Sequence, residues 1–166
     1  ILLSNLWSQA WTDYLRSPIE WAVGLTNGYD NNVLRLSAIE KDDAALNQTI
    51  LGGTKTFDSH YVRFSLSGLK KIQLGDREKQ IQFFAKSNLS NYIQYKHRQY
   101  WSGYVKASYH WGAYRRLEYM LRHLDNYYMR HYKDLDITVN QLFACSFTDR
   151  EQRLLISHPI KLRLWI

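Results

Sequence analysis

The feature that most restricts what this chain can become is residues 92–133, where ten of the 13 tyrosines, four of the six histidines and eight of the 22 lysines and arginines crowd together against only Glu118 and Asp125. At ~100° per residue, Tyr114, Leu117, Met120, Leu121, Leu124 and Tyr128 fall on one arc, the spacing of a core-facing helical stripe. The opposite arc collects Arg115, Tyr119, Arg122, Asn126, Arg130 and Lys133. The pattern predicts an amphipathic helix whose outer face is cationic with an aromatic set into it. Gly103 and Gly112 each cost ~1 kcal/mol relative to alanine inside a helix, which predicts a break and two helices across the stretch.

The charge is concentrated in the same stretch. The formal net charge of +7 divides into +1 over residues 1–90 and +6 over residues 91–166, and residues 91–133 alone carry eight basic and two acidic side chains. A patch of this kind attracts polyanions: nucleic acid, an anionic membrane surface or an acidic protein face. A length of 166 residues fits a single domain, taken as 1–166. Cys145 is the sole cysteine, so no intramolecular disulfide forms and a reducing compartment, the cytoplasm, is the expectation. No run approaches the ~20 apolar residues of a spanning helix, and no signal peptide is visible. The chain opens Ile1-Leu2-Leu3 without methionine, which reads as a fragment or processed product.

Taken in order, the chain predicts an α+β fold. Apolar pairs four apart, from Leu2-Leu3 to Tyr14-Leu15, predict a first helix ending before Pro18, and Ser17-Pro18-Ile19-Glu20 has the form of a capping box opening a second. From residue 33 to about 84 the pattern alternates. It predicts strands at 33–39, 60–66, 70–74 and 79–84, with a hairpin loop at 75–78 and a helical turn or loop at 41–47. Ser87-Asn88-Leu89-Ser90 marks a return to helix. Residues 136–147, 153–157 and 160–166 are predicted C-terminal strands around a turn at 148–151. The architecture expected is two short N-terminal helices, an antiparallel sheet, the long basic helical segment packed on it, and the final strands.

Arg115, Tyr119, Arg122, Arg130 and Lys133, extended by Lys96, Arg98 and Lys106, are the candidate nucleic-acid-binding residues, the cations tracking phosphates and Tyr119 stacking on a base. Arg116 and His123, six residues lying between them, resemble the arginine–histidine pattern of the HEPN ribonucleases over eight residues, with Leu117 where that family has a polar residue. The resemblance implies a metal-independent ribonuclease in which His123 serves as acid–base and Arg116 holds the scissile phosphate. The histidine spacings lack the i, i+4 pair of a helical zinc site, and Gly52-Gly53-Thr54-Lys55 lacks the spacing of a phosphate loop, so neither a metal nor a cofactor is expected. Cys145 reads as a small core residue.

The function expected from these residues is a non-enzymatic, backbone-directed RNA- or DNA-binding module within a larger nucleoprotein assembly. A second expectation, of another class, is a protein-interaction domain whose tryptophans and tyrosines bind a partner chain or a second copy. The third is the ribonuclease.

Overall fold

The computed structural model describes residues 17–46, 51, 54–75, 78–133 and 142–159. Six strands, β1 (Ile19–Asp30), β2 (Ser59–Gln73), β3 (Lys79–Tyr92), β4 (Tyr100–Gly112), β5 (Arg115–Lys133) and β6 (Leu142–Ser157), form one sheet in sequence order. Each is antiparallel to its neighbour in the chain. One α-helix, α1 (Ala38–Leu46), lies in the β1–β2 connection among the described residues.

This overturns the α+β expectation in several places, among them residues 33–39, expected as a strand, which form a turn leading into α1, and residues 87–90, expected to return to helix, which continue β3. Residues 92–133 form no α-helix: they finish β3 and make β4 and β5, with one 3-10 turn at Lys96–Arg98 between β3 and β4. On β4 the odd positions from Trp101 to Trp111 oppose the apolar face of β3, while the even positions carry Ser102, Lys106, Ser108 and His110. That period of two outcompetes the 3.6-residue stripe because β-branched and aromatic residues fit a pleated surface. Ser17-Pro18-Ile19-Glu20 opens β1, where Ile19, Trp21, Val23 and Leu25 alternate with Glu20, Ala22, Gly24 and Thr26. The other expected N-terminal helix falls on residues outside those described. The turn expected at 148–151 is absent, since β6 runs through it; residues 160–166 lie outside the described set.

The loop at 74–78 does join β2 and β3 as a hairpin, and Gly112 ends β4. The β4–β5 turn is two residues long and puts Tyr114 in the left-handed region at φ 62. Asn126, at φ 49, sits in the irregularity of β5 between Leu124 and Tyr127, a conformation asparagine adopts more readily than most residues.

Connections differ sharply between the two ends of the sheet. The short end has residues 74–78 and 113–114; the long end has residues 31–58, 93–99 and 134–141. The buried apolar core is confined to the long end. Val33, Leu34, Leu36, Ala44 and Leu51 from the β1–β2 connection pack there on Tyr92, Tyr95 and Tyr128.

Candidate functional site

A strand sends successive side chains to opposite faces, so residues an odd number apart separate. Arg115 and Arg122, seven apart, share a helical face and part on a strand. Tyr119 lies on one face, its hydroxyl donating to Gln152 Oε1 at 3.2 Å. Arg122 lies on the other, held by Asp149 at 3.0 Å and Glu151 at 3.1 Å. Lys106 is on the Arg122 face and pairs with Glu118 at 3.5 Å. Arg130 is at the long end, 2.9 Å from Glu40 of α1, Lys96 is exposed in the β3–β4 connection, and Lys133 closes β5. The expected cationic line is therefore dispersed. Arg116 and His123 also fall on opposite faces, Arg116 opposite His110 and His123 opposite Gly103, and the His123 ring rests against Trp101 at 5.3 Å.

What the strands do bring together is two contrasting faces. Directly paired residues share a face. One ladder row runs Leu25, Phe64, Leu89, Trp101; another runs Trp21, Gly68, Ala85, Val105, Leu121; a third runs Ile19, Lys70, Phe83, Ala107, Tyr119, Leu154. These rows are apolar from β1 to β4, with Lys70 the cation within them; toward β5 and β6 the same face turns polar, the Leu25 row ending in Asp125, the Trp21 row in Gln152, and the row between them in His123 and Arg150. Its large residues are exposed, Phe64 by 47%, Phe83 by 49%, Val105 by 52% and Leu25 by 74%. Trp21 lies over Gly68 and Trp101 over Gly103, each ring covering backbone that lacks a Cβ. A shallow apolar trough lies between these tryptophans, floored by Ala85 and Val105.

The opposite face is mainly polar, with Leu69, Phe84 and Met120 in the Lys106 row and Leu124 beside Ser102. Its rows include Arg63–Ser90–Tyr100, Ser65–Asn88–Ser102 and Ser67–Lys86–Tyr104–Arg122. Apart from the exposed Arg122, these polar side chains are half-buried or, like Ser90 and Ser108, buried. Hydrophilic residues are thus less exposed than the hydrophobic ones behind them, the reverse of a water-soluble sheet.

At the long end the β1–β2 connection folds onto this polar face. Ser37 and Glu40 form a reciprocal capping box at the start of α1: Ser37 N donates to Glu40 Oε2 at 2.8 Å and Glu40 N to Ser37 Oγ at 3.3 Å. The Ser37 amide, then the Arg130 guanidinium, hold the Glu40 carboxyl down to about 2. Arg98, 2% exposed, donates to the Val33 carbonyl and to the Tyr127 hydroxyl, and its guanidinium lies 4.4 Å from the Tyr127 ring centroid. No carboxylate pairs with Arg98 among the described residues. Tyr128 donates or accepts a 2.6 Å bond with His131 Nδ1, and burial pushes its hydroxyl up to about 12. Burial, and then the neighbouring His97, lowers the His131 imidazole.

Among the described residues no three histidine, cysteine, aspartate or glutamate side chains gather as a metal site. Cys145 is half-buried in β6. The signal that would have found the two faces is the strict alternation from Trp101 to Trp111, obscured by the Gly103 and Ala107 that interrupt its apolar members. No family model, no curated protein and no solved structure matches the chain.

Proposed function

We propose that this sheet is part of the wall of a transmembrane β-barrel, with lipid against the apolar face and water against the polar one. The observation that carries the reading is the inverted sheet: an exposed apolar face backed by a crowded polar face, as on the outside and inside of a curved wall.

Three features support a bilayer over a second protein layer. The upper boundary of the apolar band stays on the Leu25 row from β1 to Trp101 on β4, then falls to Leu121 on β5 and to Leu154, in the Ile19 row, on β6; end to end it drops six residues along the strand over five strand-to-strand steps. At ~3.3 Å per residue and ~4.8 Å per step this is about 20 Å against about 24 Å, an inclination of about 40°, within the roughly 35–45° strand tilt of membrane barrels. On β4 the band lies between Trp101 and Trp111; ten residues at ~3.3 Å, inclined by about 40°, give a height of about 25 Å, matching an apolar belt edged by aromatics. Short turns at one end and longer connections at the other are the usual asymmetry of such walls. A sandwich, by contrast, leaves its polar face outermost and exposed.

No described helix is long and apolar enough to cross a membrane; on this reading the strands cross instead. Unpaired backbone is not tolerated in hydrocarbon, so the edges of β1 and β6, which pair with no further strand among the described residues, require strand partners that close the wall. A bilayer placement takes the place of the cytoplasmic one. The nucleic-acid reading rested on a single cationic helical face; with those residues dispersed and Lys106, Arg122 and Arg130 each held by carboxylates, the wall is the better-supported function.

Quenching of tryptophan by lipids brominated midway along their acyl chains tests this. With every other tryptophan replaced by phenylalanine, Trp21 is expected to be strongly quenched in vesicles. Tyr104→Trp, on the polar face of a tryptophan-free variant, is expected to be spared. Equal quenching of both, or none with a sedimentation mass showing two copies joined, would overturn the reading in favour of a protein-covered face.

A further inference from the structure

On the polar face β2, β3 and β4 contribute four cations, Arg63, Lys71, Lys86 and Lys106, and no carboxylate. The carboxylates of that face stand on the flanking strands, and each is already engaged. Glu20 of β1 holds Lys71 at 3.0 Å, Glu118 of β5 holds Lys106 at 3.5 Å, Asp149 and Glu151 of β6 share Arg122, and Asp30 lies 3.6 Å from Arg35. Arg63 and Lys86 have no carboxylate partner among the described residues. Arg63 Nε donates to Ser90 Oγ at 3.0 Å and its guanidinium stands over Tyr61 at 5.6 Å; between the two cations lie hydroxyl and amide groups of Ser65, Ser67, Asn88 and Ser102, while Tyr104 and the Leu69–Phe84 row flank Lys86 on its other sides.

Resting on the barrel-wall reading, we infer that the polar face of β2–β4 is a path for small anions, including solutes that carry carboxylate or phosphate. The Arg63 row and the Lys86 row lie four residues apart. At ~3.3 Å per residue the step is about 13 Å along the strands, comparable to the ~10 Å reach of a charge at 0.1 M salt. An anion moving along this face passes from the field of one cation into that of the next. The serine and asparagine groups between them solvate it without competing charge. A cation on the same path meets no unengaged carboxylate among the described residues.

The test uses the natively produced, full-length protein inserted into a planar bilayer under a KCl gradient, reading the zero-current potential. The sign of chloride preference is expected. Removing one charge by Lys86→Gln or Arg63→Gln is expected to lower the chloride-to-potassium permeability ratio by about twofold to fourfold in dilute salt, from a unit charge at ~10 Å in water, with Lys86→Glu lowering it further. Lys70→Gln, the same loss of charge on the apolar face, is expected to leave the ratio unchanged. Potassium preference, or indifference to both Lys86 and Arg63 substitutions in a conducting protein, would overturn the anion path alone. Insertion without conductance would also overturn the path alone. Failure of Trp21 to meet brominated lipid would remove the wall reading and the path with it.

Discussion

Val105 lies at the centre of the apolar face, 52% exposed, in the row with Trp21, Gly68, Ala85 and Leu121. Val62 is the same residue type on the same face but at its edge, opposite Asn27 and Asn91. Replacing each with arginine separates lipid from water. Against a bilayer, Val105→Arg places a charge near the midplane and is expected to cost about 2–4 kcal/mol, while Val62→Arg near the interface costs about 0–1 kcal/mol. At ~1.4 kcal/mol per decade, the central substitution lowers the folding equilibrium roughly thirtyfold to nearly a thousandfold. On a water-exposed face both would stay within about 0.5 kcal/mol, since neither loses a partner. Reversible urea unfolding in lipid vesicles, monitored by tryptophan fluorescence, measures the difference. Two near-zero values, or two equal costs irrespective of depth, would refute a lipid-facing surface.

The long end and the sheet carry further expected outcomes. Arg98→Met leaves the Val33 carbonyl and the Tyr127 hydroxyl without their donor, an expected cost of about 1–3 kcal/mol; amide exchange should rise in residues 33–46 and not in β4, and unchanged exchange would show that Arg98 does not hold the connection. Glu40 has a depressed carboxyl, so its contribution is present above the usual carboxylate range and lost as pH falls toward about 2. Release of α1 should appear across that window in wild type and be independent of pH there in Glu40→Gln. Gly103→Ala puts a Cβ 2.9 Å from the Lys86 carbonyl oxygen and 3.0 Å from the Trp101 ring; overpacking of about 1–3 kcal/mol is expected in chemical unfolding, and a neutral result would mean the two strands separate more easily than their ladder implies.

The β2–β3 hairpin was legible in the sequence because alternation and a polar four-residue loop at 75–78 coincide there. The β4–β5 hairpin was not. Its two-residue turn lacks the usual asparagine–glycine signal and uses Tyr114 at positive φ, and the leucines and tyrosines of 114–128 fit a helical stripe as readily as a strand. The two serine–glutamate pairs are instructive. Ser17-Pro18-Ile19-Glu20 and Ser37-Ala38-Ile39-Glu40 carry the same spacing; the first opens a strand and the second caps α1. The residues C-terminal to each pair decide between the two outcomes: Trp21, Val23 and Leu25 alternate, whereas Lys41, Asp42, Asp43 and Ala44 do not. The cations were visible, but the face each would occupy was not, because a change of period from 3.6 to 2 reassigns every second residue. Reading hydrophobic as inside also hides a wall whose hydrophobic side faces out.

The most direct single measurement is a nitroxide scan of β4. With Cys145→Ser as background, each position from 100 to 111 is changed in turn to cysteine, labelled, and measured in lipid vesicles for collision with oxygen and with a water-soluble nickel chelate. Odd positions, Val105 and Ala107 foremost, should favour oxygen, and even positions such as Ser102 and Tyr104 should favour nickel, with the oxygen maximum near the middle of the strand. Absence of a two-residue period, or odd positions shielded from both reagents, would contradict a lipid-facing wall.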